Sequence, residues 1–159
     1  MDKIPSYQKN HDLLRPGFYF SGAQLGADTY DLRFKRPNEG DFISPKALHS
    51  IEHMLATALR NGEHKEHILY FGPMGCRTGF YLLTADLTCK EVFSALKAAL
   101  KAALAMDEVP GSAREECGNY LEHDLADAKR ECSLYLALLN SLTDDDIAAQ
   151  ETKRQEEHA

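Results

Sequence analysis

The stretch from Ser44 to Gly62 constrains this chain more than any other. Ser44 followed by Pro45 reads as a helix start. A Ser side chain can accept from an N–H of the first turn, and the fixed φ of Pro suits the first helical position. Asn61-Gly62 reads as a stop, because Gly tolerates the left-handed conformation just past a helix end. Residues 45–61 are therefore expected to form one helix. At about 100° per residue, Leu48, Ile51, Leu55 and Leu59 share one stripe, which is the face to be buried. His49, His53, Ala56 and Arg60 share a second stripe roughly a quarter turn away, with Glu52 between the two. Such a helix packs into a core and also presents two imidazoles, one turn apart, at the edge of that core.

His49 and His53 at i and i+4 project the same way and can grip one metal ion together. Glu52, just before the second His, is placed to act on whatever else that metal holds. The plain alternative is a pair of surface histidines at this spacing by chance. A catalytic site usually takes three protein ligands and leaves one position open. His123, Asp124 and the cysteines are candidates for the third. Cys117 is preferred, because Glu116-Cys117-Gly118-Asn119 reads as a turn between helices where a thiolate is presented without strain. A Cys/His/His set suits Zn(II), Fe(II) or Co(II); a buried free thiol is the competing reading.

Cys76 is a second centre of interest. It lies in Gly72-Pro73-Met74-Gly75-Cys76-Arg77-Thr78-Gly79, a break between two strands where a side chain can stand clear of a sheet. The adjoining Arg77, or a metal nearby, would favour a reactive thiolate. A small turn residue is the equally available reading. Cys89 and Cys132 read as structural. Without a tight framework spacing, the four cysteines are better taken as thiols, ligands or nucleophiles than as disulfides. Glu52 can serve as general acid and base if its surroundings are partly dry. Arg33 could clamp a carboxylate or be solvated, the default for its type. His123-Asp124 could be a pair behind the metal ligands or the cap of a helix.

The rest of the chain alternates between short strands and long helices. Residues 1–16 are polar and irregular, and a disordered tail is the default. Gly17–Ser21 reads as a strand, residues 22–28 as a loop, and Thr29–Arg36 as a half-buried strand with Tyr30, Leu32 and Phe34 inward and Asp31, Arg33 and Lys35 outward. His67–Phe71 and Phe80–Ala85 are two further strands. Thr88 and Glu91 form a capping box before a helix whose inner face is Val92, Leu96, Ala99, Leu100 and Ala103. Ser112 and Glu115 repeat that box before a short turn. A long helix is expected from about residue 121 to 141. After Thr143 the chain is charged, with little to bury, and fraying is expected there. Strands in hairpin-like order followed by late helices indicate an α+β fold, an antiparallel sheet packed on one face by helices. At 159 residues this is one domain, spanning 1–159. The net charge of −7 and the lack of a Lys/Arg run argue against a nucleic-acid or acidic-membrane partner. No apolar stretch matches a membrane span or a secretion signal, so a cytoplasmic location is expected.

Taken in order, these pieces are similar to those of the S-ribosylhomocysteine lyase family (LuxS, autoinducer-2 synthase). They are Ser6…His11, Asp31-Leu32-Arg33-Phe34…Pro37-Asn38, His49-Ser50-Ile51-Glu52-His53, Pro73-Met74-Gly75-Cys76-Arg77-Thr78-Gly79, Glu116-Cys117-Gly118-Asn119 and His123-Asp124-Leu125. Each alone is modest, but together they run through nearly the whole chain. The resemblance implies that His49, His53 and Cys117 hold one divalent metal per subunit, Fe(II) in the cell with Zn(II) or Co(II) as substitutes. It implies that Cys76 and Glu52 are the acid/base pair, and that Ser6, His11, Arg33, Ala56, Arg60 and Gly118 contact the substrate, S-ribosylhomocysteine. It also implies a two-layer homodimer with active sites shared between the chains, Ala56 and Arg60 reaching across. One departure is Leu69-Tyr70-Phe71-Gly72, which lacks the acidic residue the family commonly carries before the Cys turn.

Two other functions fit the helix motif. A His-x-x-Glu-His metallopeptidase would use Glu52 as base toward water, but it has no use for Cys76 and usually takes a carboxylate as third ligand. A zinc-stabilised binding module leaves both Cys76 and Glu52 without a role.

Overall fold

The computed structural model describes residues 1–159. A short helix α1 (Pro5–Gln8) precedes a hairpin of β1 (Gly17–Gln24) and β2 (Ala27–Arg33). Helix α2 (Pro45–Arg60) follows, then β3 (Ile68–Pro73) and β4 (Gly79–Thr84). Helices α3 (Cys89–Leu104), α4 (Leu125–Ser141) and α5 (Asp144–His158) complete the chain. The four strands form one antiparallel sheet in the order β1-β2-β4-β3, and helices pack on it in an α+β fold.

Alternation along the strands sorts their side chains. Phe18, Phe20, Tyr30, Leu32, Phe71, Phe80 and Leu82 enter a core shared with Ile51, Met54 and Leu55 of α2, Leu96 and Leu100 of α3, and Tyr135 and Leu139 of α4. Phe34 stacks on Tyr135 with ring centroids 3.9 Å apart, and the Tyr135 hydroxyl donates to Gly17 O at 2.9 Å. These contacts fix α4 against the β1–β2 end of the sheet. The opposite sheet face carries Tyr19, Asp31, Arg33, Tyr70, Tyr81 and Leu83.

The caps of α2 and α3 form as expected: Ser44 accepts from Ala47 N, and Thr88 and Glu91 make a reciprocal box. Several segments differ from expectation. Residues 22–28 are not an open loop: β1 and β2 are joined by Leu25 and Gly26, both at positive φ (52° and 83°), the backbone that a two-residue hairpin turn requires. The outward residues of β2 are not solvated, since Asp31, Arg33 and Lys35 are all buried. Lys35 is paired with the equally buried Glu131 of α4 at 2.9 Å. Ser112 and Glu115 make no capping box; Glu116 instead accepts from Ala113 N at 3.4 Å within a non-helical turn. The long fourth helix starts at Leu125, capped by Asp124.

The charged segment after Thr143, expected to fray, is helical. It has little apolar surface to bury, only Ile147 being in the core, and is held by polar contacts instead. Gln150 Oε1 accepts from Phe20 N at 2.9 Å, Glu151 accepts from Cys89 N at 2.8 Å, and Arg154 and His158 both reach the buried Asp28. The first sixteen residues are likewise placed: Lys9 Nζ lies 3.1 Å from Asp31 Oδ2 and 2.7 Å from Ser21 Oγ. No helix is long and apolar enough to cross a membrane.

Candidate metal centre and active site

Helix α2 delivers His49 and His53 to one place because a step of four residues is close to one turn. The segment between α3 and α4 folds back over them. Cys117 Sγ lies 3.5 Å from His49 Nε2, 3.9 Å from His53 Nε2 and 3.6 Å from His123 Nε2. These four donor atoms all lie within 4.8 Å of one another. Donors bound 2.0–2.3 Å from one tetrahedral ion stand roughly 3.3–3.8 Å apart. The sulfur-to-nitrogen distances fall close to that spacing, and the cluster could hold one metal ion.

The outer nitrogens of the three rings are occupied by the fold. His49 Nδ1 donates to Glu122 O at 2.8 Å, and His53 Nδ1 donates to Pro110 O at 2.9 Å. His123 Nδ1 is 3.0 Å from Ser50 Oγ, which also accepts from Asp124 N at 2.9 Å. The carbonyl acceptors hold the proton of His49 and His53 on Nδ1, so those two Nε2 lone pairs point inward, which is how metal-binding imidazoles are held. The His123 ring stacks on His49 at 4.0 Å. Burial and the neighbouring His49 and His53 lower its pKa from the ordinary imidazole value. Gly111, at φ 66°, brings Pro110 into place; a Cβ there would sit 3.4 Å from His53 Nδ1. Both Cys117 and His123 from the sequence candidates are in the cluster. Asp124 is not; it caps α4.

The Cys76 turn is closed by Met74 N to Gly79 O (2.9 Å) and Arg77 N to Met74 O (3.0 Å). Gly79 has no room for a side chain, since a Cβ would come 2.3 Å from Leu32 O, so the turn lies hard against β2. The exposed Cys76 sulfur sits 3.0 Å from Thr78 Oγ1 and 4.0 Å from Arg33 Nη1. Arg33, not Arg77, is thus the cation at the thiol. Arg77 turns away to donate to Ile43 O at 3.1 Å and lies over the Phe42 ring. Arg33 is neither solvated nor open on all sides: Nε and Nη2 both donate to Asp31, at 3.0 and 2.7 Å, and Nη1 donates to Thr78 Oγ1 at 2.8 Å.

Cys89 and Cys132 are buried, and burial pushes both thiols up to about 12, so they are structural as expected. Glu52 is half-buried on α2 beside the cluster's two helix histidines. Ser6 lines a cleft of about 500 Å³ with Ser21, Tyr70 and Tyr81 on the open sheet face. His11 Nδ1 meets Lys9 O at 3.0 Å, Arg60 donates to Leu69 O at 2.9 Å, and Ala56 packs against the core. Gly118 follows Cys117 in its turn. Within one chain, then, the imidazole–thiol cluster and the Cys76–Thr78–Arg33–Asp31–Lys9 group are two hydrogen-bonded sets, and Lys9 joins the second to Ser21 of the Ser6 cleft. Sequence reasoning passed over Ser50, Thr78 and Gly111. The available signals were a Ser on the buried side of α2, a hydroxyl two residues from the thiol, and the Pro110-Gly111 pair between α3 and the Cys117 turn.

The model of the family described as S-ribosylhomocysteinase (LuxS) matches residues 4–146. Among similar proteins, the S-ribosylhomocysteine lyase of Borreliella burgdorferi is 42% identical over 154 residues, 92% of this chain and 98% of the relative. That of Clostridium acetobutylicum is 42% identical over 152 residues, 91% of this chain and 96% of the relative. That of Phocaeicola vulgatus is 40% identical over 155 residues, 92% and 96%. With the match running through the histidine helix α2 and both cysteine turns after it, the chain belongs to the S-ribosylhomocysteinase (LuxS) family.

Proposed function

We propose that this chain is a metal-dependent lyase that cleaves the thioether of S-ribosylhomocysteine, giving homocysteine and 4,5-dihydroxy-2,3-pentanedione, the autoinducer-2 precursor. The observation that carries the reading is the convergence of His49, His53, Cys117 and His123 in a chain of this family that also holds an exposed Cys76 beside a buried guanidinium. His49, His53 and Cys117 would hold one divalent ion, Fe(II) in the cell with Zn(II) or Co(II) as substitutes. Bound there, such an ion supplies Lewis acidity that makes protons next to a sugar carbonyl labile.

The chain's own groups move the protons. Cys76, as thiolate, takes the carbon-bound proton at C2 of the open-chain ribose and returns it to C1. Glu52 carries the hydroxyl proton from the C2 oxygen to the C1 oxygen, so the carbonyl moves from C1 to C2. A second cycle moves it to C3. Removal of the C4 proton then breaks the C5–S bond, the electron pair leaves with sulfur, and the thiol of homocysteine takes up a proton. No hydride changes hands, so no redox cofactor is required.

Ser6, His11, Arg33, Ala56, Arg60 and Gly118 serve as substrate contacts in this reading, with the site shared across a two-layer homodimer. The exposed Leu69 and Tyr70 of β3 supply apolar surface that such a partner would cover. The test is anaerobic purification with metal analysis, followed by incubation with S-ribosylhomocysteine and a free-thiol assay. One free thiol per substrate is expected. Cys76→Ala should abolish release while keeping the metal, whereas release by Cys76→Ala at the parent's rate refutes the assignment.

A further inference from the structure

We propose that Thr78 is the positioning residue of the Cys76 thiolate: its hydroxyl, taken up on the oxygen side by Arg33, gives its one proton to the Cys76 sulfur. The proposal rests on the reading of Cys76 as the proton-transfer group.

The argument is a count of donors and acceptors. Thr78 is buried, so its hydroxyl must find its partners within the protein. Its oxygen accepts from Arg33 Nη1 at 2.8 Å. The other polar atom at hand is Cys76 Sγ at 3.0 Å, a short contact for sulfur. A neutral S–H could donate to Thr78 Oγ1, but the oxygen would then accept twice and the buried hydroxyl proton would have nowhere to go. Donation from Thr78 to the sulfur pairs every group, and a thiolate accepts that proton more strongly than a neutral thiol, whose own S–H would have to point to solvent. Arg33 itself has no freedom to desert this role, because Nε and Nη2 are committed to the two oxygens of Asp31.

Charge points the same way. Asp31 is negative, and Arg33 and Lys9, 3.1 Å from Asp31, are positive, so the group carries one excess positive charge that a thiolate would balance. The other titratable groups on this face are Tyr70 of β3 and two tyrosines that flank Asp31, Tyr19 of β1 and Tyr81 of β4. Both phenols are pushed up by burial first and by Asp31 second, so both stay neutral. Lys35, at the end of β2, is spent on Glu131 and Asp41, and Arg77 on the Cys76 turn faces Ile43.

The contact also has a directional consequence. When the sulfur takes a proton from substrate, Thr78 still presents a donor to it, so the new S–H cannot turn back into the protein. It stays on the exposed side from which the proton came, ready to be returned to the neighbouring carbon.

The experiment measures alkylation of Cys76 by iodoacetamide against pH in the metal-loaded full chain, with the modified peptide located by mass spectrometry. The variants are Thr78→Val, which keeps the shape and loses the hydroxyl, Thr78→Ala as a second variant should Val not fold, and Thr78→Ser as rescue. Loss of one charge-assisted hydrogen bond is expected to move the alkylation profile upward by about one pH unit, roughly tenfold slower modification at neutral pH. Turnover of S-ribosylhomocysteine should fall by a similar factor in kcat with KM and metal content near the parent's, and recover as pH is raised. Ser should restore both. A Val or Ala profile that overlays the parent's overturns the proposal. A shifted profile in a protein whose parent never turns over S-ribosylhomocysteine leaves the thiolate contact standing and rejects the lyase reading instead.

Discussion

Sharing of the active site between two chains can be tested by complementation. Cys76→Ala removes the thiol but leaves the imidazole–Cys117 cluster untouched, since the neighbours of Cys76 are Thr78 and Arg33. Cys117→Ala opens the cluster but leaves the Cys76 turn, which closes on its own backbone through Met74 and Gly79. Each variant alone should lose the factor of about 10²–10⁴ that a positioned acid/base group contributes, leaving less than roughly 1% activity. Mixed in equal amounts and allowed to exchange subunits at random, about half of the dimers contain one chain of each kind. If the thiol of one chain serves the metal held by its partner, each mixed dimer has one intact site and one doubly damaged site. About a quarter of all sites are then whole, and specific activity should rise to about 25% of the parent's, at least 25-fold above either variant alone. The assay is free-thiol release before and after exchange, with the mixed species verified by mass spectrometry of two tagged chains. If mixed dimers form and activity stays at background, each chain uses its own thiol and the shared arrangement is wrong.

Other consequences are open to direct measurement. Ser50→Ala removes the partner of His123 Nδ1 and should weaken metal affinity about tenfold if that ring adds to the hold of His49, His53 and Cys117, read by competition with a chromophoric chelator; unchanged affinity would mean that the ion is held without His123. Arg154→Met leaves the buried Asp28 with only His158 beside it and should cost about 2–4 kcal/mol, lowering Tm by roughly 4–16 °C in a chain of this size. A loss of under about 1 °C would mean α5 is not anchored there. Burial raises the Glu151 carboxyl, but hydrogen bonds from Cys89 and the charge of Arg154 outweigh it, and the net pKa is lowered. A lowered folded value means its stabilisation is complete above the ordinary glutamate range and is lost as pH falls through the folded value. Glu151→Gln should therefore melt below the parent at pH 7, with the gap closing under acid conditions; a gap that persists there contradicts this origin.

Much of this architecture is readable before any coordinates. Helix α2 follows from Ser44, Pro45, the apolar stripe and Asn61-Gly62, since each of these acts within one or two turns of chain. The box at Thr88 and Glu91 is equally local. What escapes local reading is what depends on distant partners. Asp31, Arg33 and Lys35 alternate like a solvated strand face, yet each is buried by a partner of its own, on the same strand, in the N-terminal segment or on α4. The tail after Thr143 lacks an apolar stripe and looks unanchored because its anchors are polar atoms on β1, β2 and α3. The site divides in the same way. His49 and His53 are legible from their spacing, whereas the fourth member of the cluster and the acceptors behind the rings come from a turn whose path no periodicity encodes.

Those acceptors carry one more implication. Pro110 O, Glu122 O and Ser50 Oγ grip the imidazoles through bonds that need no ion, so the cavity is set by the polypeptide before any cation arrives. Loading then resembles filling a finished socket more than folding around a guest. A socket of nitrogen and sulfur donors at fixed spacing discriminates poorly among late first-row divalent ions of similar radius. Supply and exchange would accordingly decide which ion is held there, and an ion lost to a chelator would be replaced without the chain having to unfold.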